Sequence, residues 1–225
     1  MIIESHPKLI VVGQGRVGLP LAMRAVEAGF DVLGVDADPS RVAALREGAS
    51  AVDDVPDVVV RAARDSGRYA VDGDFGRIDG FDFAVVTVPI ERRASVPDLG
   101  SLESAARSLS LGLRRGATVV FESTPPPGTT AEVLVPILEQ GSGLSAGRDF
   151  SVGFSTARLD PDGATRSSRT TPALVSGIDP ESLAKVTGLY ADLADSTVHV
   201  DPAPPRDGLV LDTRDVVQNG GSALL

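Results

Sequence analysis

Residues 8–36 read KLIVVGQGRVGLPLAMRAVEAGFDVLGVD, and this stretch decides the fold. Its first five residues form a short apolar run that is typical of a buried strand. In residues 19–29 the apolar positions recur at helical spacing until Gly29 ends the pattern, and residues 30–36 form a second apolar strand. The sequence therefore predicts a strand, a tight turn, a helix and a second strand in succession.

The turn between the first strand and the helix contains Gly13, Gly15 and Gly18. At this spacing the first glycine permits a tight turn, the second lets a pyrophosphate approach the backbone, and the third allows the helix to pack closely on the strand. Amide groups at the start of the helix and the positive end of its dipole attract an anion. The alternative is that the three glycines only make a tight turn in an α/β protein that binds no nucleotide.

Asp36 ends the second strand, 23 residues after Gly13, where a ribose 2′-hydroxyl needs a hydrogen-bond acceptor. Together with the glycine turn, this acid predicts a dinucleotide site, and it favours NAD over NADP because a carboxylate would repel a 2′-phosphate. Two arginines leave alternatives open. Arg41 either reaches the same region, which complicates the preference for NAD, or belongs to a solvated helix face, and Arg16 either adds charge near the pyrophosphate or is solvated.

The alternation of strands and helices continues along the chain. Asp38 and Pro39 begin a predicted helix that ends near Gly48. The remaining predicted elements are a helix near 57–66, a strand near 68–71, the buried strand FDFAVVTVP, the loop IERRASVPDLG, a helix at about 101–113, the strand GATVVFEST, a helix interrupted or kinked by Pro136, and a strand at 149–155. This order predicts an α/β fold with a doubly wound parallel sheet and helices on both faces.

The pattern changes after Ser155. A polar stretch is followed by a strand at 173–176, a helix that Asp179 caps, and a strand at 197–200, and we expect both strands to extend the first sheet. Two strands and one helix cannot form an independent core. The expected organisation is a dinucleotide-binding domain, a polar loop with a strand–helix–strand extension of the same sheet, and a flexible tail, at residues 1–155, 156–206 and 207–225 respectively.

The composition excludes several classes of function. The 225 residues carry 21 Lys and Arg against 31 Asp and Glu, a net charge of −10, which argues against unspecific binding to nucleic acid or anionic membranes. The absence of cysteine excludes disulfides, Cys-ligated zinc and thiol nucleophiles, and two histidines make a metal site improbable, so we expect no metal. No signal-like N-terminus or long apolar run is visible, so we expect a cytoplasmic protein.

Six segments resemble the UDP-glucose/GDP-mannose dehydrogenase family, in particular its bacterial members that act on sugars such as UDP-N-acetylmannosamine. They are VVGQGRVGLPLA, GVDADPSRVAALREGA, FAVVTVP, PDLGSLESAARSL, FESTPPPGTTAEVLVPILEQGSGL and TTPALVSGIDPES. The resemblance runs from about Lys8 to Val200 and covers only the N-terminal NAD-binding domain of the family. It implies a Rossmann-type fold, NAD as the cofactor and a nucleotide sugar as the substrate class.

The resemblance also implies cofactor contacts. The pyrophosphate would be held by the glycine turn, the adenosine ribose by an acid and an arginine, the adenine by a wall after the fourth strand, and the nicotinamide side by a threonine. The residues in these positions are Gly13, Gly15, Arg16, Val17, Gly18, Asp36, Arg41, Val88, Pro89 and Thr124.

The catalytic half departs from the family's pattern. Where the family has Ser-Pro-Glu-Arg, residues 155–158 are Ser-Thr-Ala-Arg, so the expected glutamate is replaced by Ala157, and the family's Pro-Thr-Pro appears as Pro89, Ile90 and Glu91. The expected catalytic lysine and asparagine have no convincing match, since Lys185 lies in an earlier helix and Asn219 in the predicted tail. The family's cysteine nucleophile, which belongs to its C-terminal domain, is absent.

Three functions remain open. In the first, the chain is a shortened family member that carries out at most one two-electron step on a nucleotide sugar or a related alcohol. In the second, it is a non-catalytic NAD- or nucleotide-sugar-binding protein that regulates or scaffolds a pathway, and in the third it is one half of a dehydrogenase completed by a partner chain. The candidate catalytic groups are weak ones: Thr124, Glu122, Asp160 and Lys185.

Overall fold

A computed structural model describes residues 6–76, 78, 80–93, 96–123, 125–126, 128–156, 173–194 and 197–199. The strands are β1 Lys8–Val12, β2 Asp31–Val35, β3 Tyr69–Asp72, β4 Phe83–Val86, β5 Glu91–Arg93, β6 Val96–Asp98, β7 Thr118–Glu122, β8 Ser151–Thr156, β9 Ala173–Gly177 and β10 Thr197–His199. The helices are α1 Gly18–Glu27, α2 Pro39–Arg46, α3 Asp57–Asp65, α4 Gly100–Ser110, α5 Val135–Ser142 and α6 Pro180–Leu193, with a π-helical turn at Thr130–Leu134.

Eight strands form one sheet in the order β10-β9-β8-β7-β4-β1-β2-β3, and the six from β3 to β8 in this order are parallel. Helices cover both faces. One hydrophobic cluster joins the sheet to α1, α2, α3 and α6, and the other joins it to α4 and α5. This arrangement confirms the predicted α/β, doubly wound fold of the Rossmann type.

The direction of the last two strands corrects the prediction of a parallel sheet. Strand β9 pairs antiparallel with β8, through Gly153 with Gly177 and Ser155 with Val175, while β10 is parallel to β9. A parallel neighbour needs a crossover back to the other end of the sheet, usually through a helix. Helix α6 makes such a crossover between β9 and β10, whereas the sequence from 157 to 172 has no helical pattern.

A second correction concerns the charged stretch after the fourth strand. The sequence predicts a loop for IERRASVPDLG, but β5 and β6 form a two-stranded antiparallel sheet in it, with Glu91 opposite Asp98. Strands of three residues are too short to show an alternating pattern in the sequence.

Helix α4 also ends at Ser110, three residues before the predicted boundary.

The predicted interruption at Pro136 is confirmed. Helix α5 carries this proline in its first turn and is preceded by the π-helical turn, in which the Val135 N–H bonds to the Thr130 carbonyl oxygen five residues back. Proline has no N–H to donate to the residue four positions earlier, so it is tolerated where a new helical segment starts.

Two glycines of the sheet allow helix α6 to pack closely against it. A Cβ at Gly153 would lie 2.4 Å from a Val186 methyl group, and a Cβ at Gly177 would lie 2.3 Å from the Leu183 backbone nitrogen.

In the described part of the chain, no helix is both long and apolar enough to cross a membrane.

Candidate functional site

The glycine turn has the geometry that its spacing predicts. Gly13 has a φ of +91°, and its N–H donates to the Val35 carbonyl oxygen at 2.7 Å, so the turn is tied to the end of β2. A Cβ at Gly18 would lie 1.8 Å from the Gly13 carbonyl oxygen, so only glycine brings α1 this close. A Cβ at Gly15 would meet nothing within 4 Å. The backbone at Gly15 therefore borders open space that a ligand can enter.

The first turn of α1 is free of competing side chains. Its N-cap residue, Val17, makes no side-chain cap, and no acidic residue lies in the first turn. The first N–H groups of a helix have no partner within it and carry the positive end of the dipole. The residues present thus fit the pyrophosphate of a dinucleotide.

Thr87, which the sequence analysis missed, fastens this turn from the neighbouring strand. Its Oγ1 lies 2.9 Å from the Val12 carbonyl oxygen and 3.0 Å from the Gly13 carbonyl oxygen, and it would lie 2.9 Å from a Cβ at Gly13. The sequence feature that could have indicated this role is the position of Thr87 directly after β4, the strand that lies beside β1 in the sheet. The next two residues, Val88 and Pro89, are half-buried and exposed respectively.

Asp36 lies at the end of β2 with only 7% of its surface exposed. Its Oδ2 accepts from the Gln14 backbone N–H at 2.7 Å, and its Oδ1 accepts from the Asp38 backbone N–H at 2.9 Å. The Nη1 of Arg41 lies 2.9 Å from Oδ1 and 2.8 Å from Oδ2. Of the two alternatives for Arg41, the structure therefore favours the one in which it reaches the region of Asp36. Arg16 is exposed and Val17 is half-buried at the opening of α1.

Gln14, the residue between the first two glycines, is fully buried, and the sequence analysis gave it no role. Its Nε2 donates to the carbonyl oxygens of Val11 and Gly13 at 2.9 and 3.2 Å, and its Oε1 accepts from the Tyr69 hydroxyl at 2.8 Å. Burial, and then the charge of Asp36, raise the pKa of Tyr69, so its hydroxyl stays protonated and available as a donor.

Among the catalytic candidates, Glu122 is the last residue of β7 and lies opposite Ser155 of β8. Its Oε2 accepts from the Tyr190 hydroxyl at 2.7 Å. Burial raises the pKa of Glu122, while the Tyr190 hydrogen bond and the charge of Arg24 act in the opposite direction. In the part of the chain that the structure describes, the buried Nε of Arg24 and the hydroxyl of Ser123 have no hydrogen-bond partner.

Of the remaining candidates, the structure describes only Lys185. Lys185 forms an ion pair with Glu181 at 3.0 Å, one turn away on α6. Thr124 and Asp160 lie outside the described residues, as do Ala157, Arg158, Asn219 and the predicted tail.

Residues 7–194 match the sequence profile of the NAD-binding domain of the UDP-glucose/GDP-mannose dehydrogenase family. A UDP-N-acetyl-D-glucosamine 6-dehydrogenase from Pseudomonas aeruginosa is 34% identical over 196 residues, which is 85% of this chain and 45% of the relative. A UDP-N-acetyl-D-mannosamine dehydrogenase from Pyrococcus horikoshii is 32% identical over 155 residues, 68% of this chain and 37% of the relative. The chain thus spans less than half the length of these relatives.

Solved structures agree with the sequence relatives. The UDP-D-ManNAc dehydrogenase from Pyrococcus horikoshii superposes with a TM-score of 0.79 at 25% identity, covering 88% of this chain and 47% of that one. A ternary complex of the GDP-mannose dehydrogenase from Pseudomonas aeruginosa gives a TM-score of 0.76 at 26% identity, covering 86% of this chain and 45% of that one.

Proposed function

Because this chain belongs to the UDP-glucose/GDP-mannose dehydrogenase family and contains its NAD-binding domain, we propose that it takes part in oxidising the alcohol of a nucleotide sugar. The reaction would be a single two-electron step from alcohol to aldehyde. The cofactor is NAD, which when bound supplies the carbon that accepts the hydride.

The geometry of the glycine turn and of Asp36 supports two of the proposed cofactor contacts. The open backbone at Gly15 and the uncapped start of α1 would hold the pyrophosphate, and Asp36 would accept a hydrogen bond from the adenosine ribose. The further proposed contacts are Gly13, Arg16, Val17, Gly18, Arg41, Val88, Pro89 and Thr124.

The observation that carries the proposal is the open space over Gly15 beside the buried carboxylate of Asp36. Open space alone would accept many anions, but the acid selects among dinucleotides. A 2′-phosphate would place negative charge next to Asp36, and Arg41, the nearby cation, is already paired with that carboxylate. This arrangement favours NAD over NADP.

The single-step proposal rests on the nucleophiles that these 225 residues supply. A second oxidation through a thiol adduct needs a cysteine, and the 225 residues contain none. Among the candidate bases we favour Glu122, because it is the last residue of β7, at the carboxyl edge of the parallel strands, and burial raises its pKa. Thr124, Asp160 and Lys185 remain weaker candidates.

Binding is tested first, by titrating the purified chain with NADH and following fluorescence. The variant Gly15→Asp places a carboxylate in the pyrophosphate position and should abolish saturable binding. Gly188→Asp is the matched control, because a Cβ there also meets nothing within 4 Å, on the exposed side of α6. Absence of binding by the unaltered chain, or equal binding by Gly15→Asp, would contradict the proposal.

Catalysis is tested by incubating the chain with NAD and a panel of UDP- and GDP-sugars while NADH absorbance is recorded. We expect one NADH per sugar and an aldehyde product. Two NADH per sugar would overturn the single-step proposal. Saturable NADH binding without turnover on any sugar would favour the non-catalytic alternative, and turnover only after a partner protein is added would favour the divided enzyme.

A further inference from the structure

Gln14 occupies a space that the neighbouring strand leaves for it. A Cβ at Gly34 in β2 would lie 2.6 Å from the Gln14 side-chain carbonyl carbon and 2.7 Å from its Oε1. Glycine in the middle of a strand weakens the strand and often marks the close approach of another group. Here the group that approaches is the buried carboxamide of Gln14.

This carboxamide has a fixed orientation. Because Oε1 accepts from Tyr69, the amino group must point to the other side, where it donates to the carbonyl oxygens of Val11 and Gly13. If the amide were reversed, the two backbone carbonyl oxygens, which can only accept, would face its oxygen and lose the Gln14 donor. The carbonyl oxygens therefore fix the orientation of Gln14, and the Tyr69 hydroxyl satisfies the Oε1 that this orientation presents.

The same residue also holds the acid at the end of β2. The backbone N–H of Gln14 donates to Asp36 Oδ2 at 2.7 Å, so the turn, the Tyr69 hydroxyl and the carboxylate are linked through one residue. A carboxylate discriminates a ribose hydroxyl only if its oxygens are held at the right place and angle. The Gln14 side chain and the Tyr69 hydroxyl are therefore placed to control the position of this carboxylate without contacting the ribose.

We infer that Gln14 and Tyr69 are positioning residues that hold Asp36 in place and thereby set the preference for an adenosine ribose with a free 2′-hydroxyl. The inference rests on the ribose contact proposed for Asp36. Neither residue contacts the cofactor in this scheme; both act through the carboxylate and the turn.

The test compares NADH with its analogue that lacks the adenosine 2′-hydroxyl, using fluorescence titration. We expect the unaltered chain to bind NADH about tenfold more tightly than the analogue, the size of one hydrogen bond to a charged group. In Tyr69→Phe this ratio should fall to about threefold or less. Tyr190→Phe is the matched control, since it removes the hydroxyl of the only other tyrosine, which bonds to Glu122, and should keep the full ratio.

Gly34→Ala disturbs Gln14 by a second route. It leaves Tyr69 unchanged but fills the space of the carboxamide, and the same fall in the ratio is expected. This variant keeps the inference falsifiable if Tyr69→Phe does not fold. An undiminished ratio in either folded variant, or an equal fall in Tyr190→Phe, would overturn the positioning role.

Asp36→Ala separates this inference from the ribose contact on which it rests. If Asp36→Ala keeps the tenfold preference, the ribose contact is wrong and the positioning role falls with it. If Asp36→Ala loses the preference while Tyr69→Phe keeps it, the ribose contact stands and only the positioning role is wrong.

Discussion

The two tyrosines of this chain each hydrogen-bond a partner in a buried polar cluster, and the two clusters differ in how completely they are satisfied. In the Asp36 cluster, formed by Gln14, Asp36 and Tyr69, the Gln14 carboxamide uses both its ends and Asp36 accepts from two backbone N–H groups. In the Glu122 cluster, formed by Arg24, Glu122 and Tyr190, the carboxyl group accepts from Tyr190, and the buried Arg24 Nε has no partner among the described residues.

The Asp36 cluster is therefore already organised, whereas the Glu122 cluster is not. A fully satisfied buried network is rigid, whereas a partly satisfied one carries a desolvation cost. The rigid network lies beside the glycine turn, where a cofactor needs a fixed backbone. The Glu122 cluster lies next to Ser123 and Ser155. Ser123 immediately precedes the predicted site residue Thr124, and Ser155 lies two residues before the departure from the family's pattern at Ala157.

The largest effect is expected from adding one methyl group to the glycine turn. In Gly18→Ala the new Cβ would lie 1.8 Å from the Gly13 carbonyl oxygen, so the turn has to open, and we expect NADH binding to weaken by about a hundredfold or more. Gly188→Ala is the control at the α6 side of the molecule, where a Cβ meets nothing. It should keep binding intact and stabilise α6 by up to about 1 kcal/mol. The two are compared by NADH titration and thermal unfolding.

If Gly18→Ala bound NADH as tightly as the unaltered chain, the close contact between α1 and the turn would not matter for the cofactor. The organised site would then have to be placed elsewhere at the carboxyl edge of the sheet.

A smaller effect, of a few degrees in Tm, is expected from neutralising the Glu122 cluster. The raised pKa of Glu122 means that the folded protein binds this proton more tightly than the unfolded chain does. Its contribution therefore favours folding at low pH and becomes destabilising as the pH rises from the ordinary value of 4.5 through the folded pKa. Glu122→Gln should raise the Tm at pH 8, and the gain should shrink as the pH approaches 4.5.

Glu181→Gln on α6 is the control for this measurement. Glu181 is 69% exposed in its ion pair with Lys185, so its replacement should change the Tm little at any pH. A Glu122→Gln variant that is less stable than the unaltered chain at pH 8 would show that the carboxylate is favoured in the folded state.

The region of the glycine turn and Asp36 could be predicted from the sequence far better than the Glu122 cluster. Gly13, Gly18 and Asp36 act through the local backbone, and local spacing is what a sequence displays. The burial of Gln14 could not be predicted in the same way, because it depends on Gly34 and on Tyr69, 55 residues away. Such contacts depend on how strands pair in the sheet, which periodicity alone does not specify.

The reversed strand at the other side of the sheet shows the same limit. Periodicity identified β9 and α6 and the Asp179 cap, but it carries no information on strand direction. The missing helical pattern before β9 was a signal that the sequence offered, because parallel neighbours are usually connected through a helix. The Glu122–Tyr190 hydrogen bond joins elements 68 residues apart and depends on how α6 packs onto β7.

The smallest effect is expected at the two aspartates that cap helices, Asp38 at the start of α2 and Asp179 at the start of α6. It is also the most sensitive test of the difference between the two clusters. Asp38 Oδ1 accepts from the Ser40 N–H at 2.9 Å, and Asp179 Oδ1 accepts from the Ser182 N–H at 2.7 Å. Asp38→Ala and Asp179→Ala should each cost about 1 kcal/mol, which lowers the Tm by about 2–4 °C in a chain of this size. The asparagine variants at both positions should restore the Tm, since asparagine caps equally well.

NADH binding should distinguish these two caps although stability does not. The first turn of α2 carries Arg41, which pairs with Asp36, and the Asp38 N–H donates to the same carboxylate. Fraying this turn in Asp38→Ala therefore loosens the Asp36 cluster and should weaken NADH binding about two- to fivefold, less than the loss of a full hydrogen bond. Asp179→Ala loosens only α6 and should leave binding unchanged. Equal weakening in both variants would mean that the two halves of the sheet respond as one unit, and the distinction between an organised and an unorganised cluster would fail.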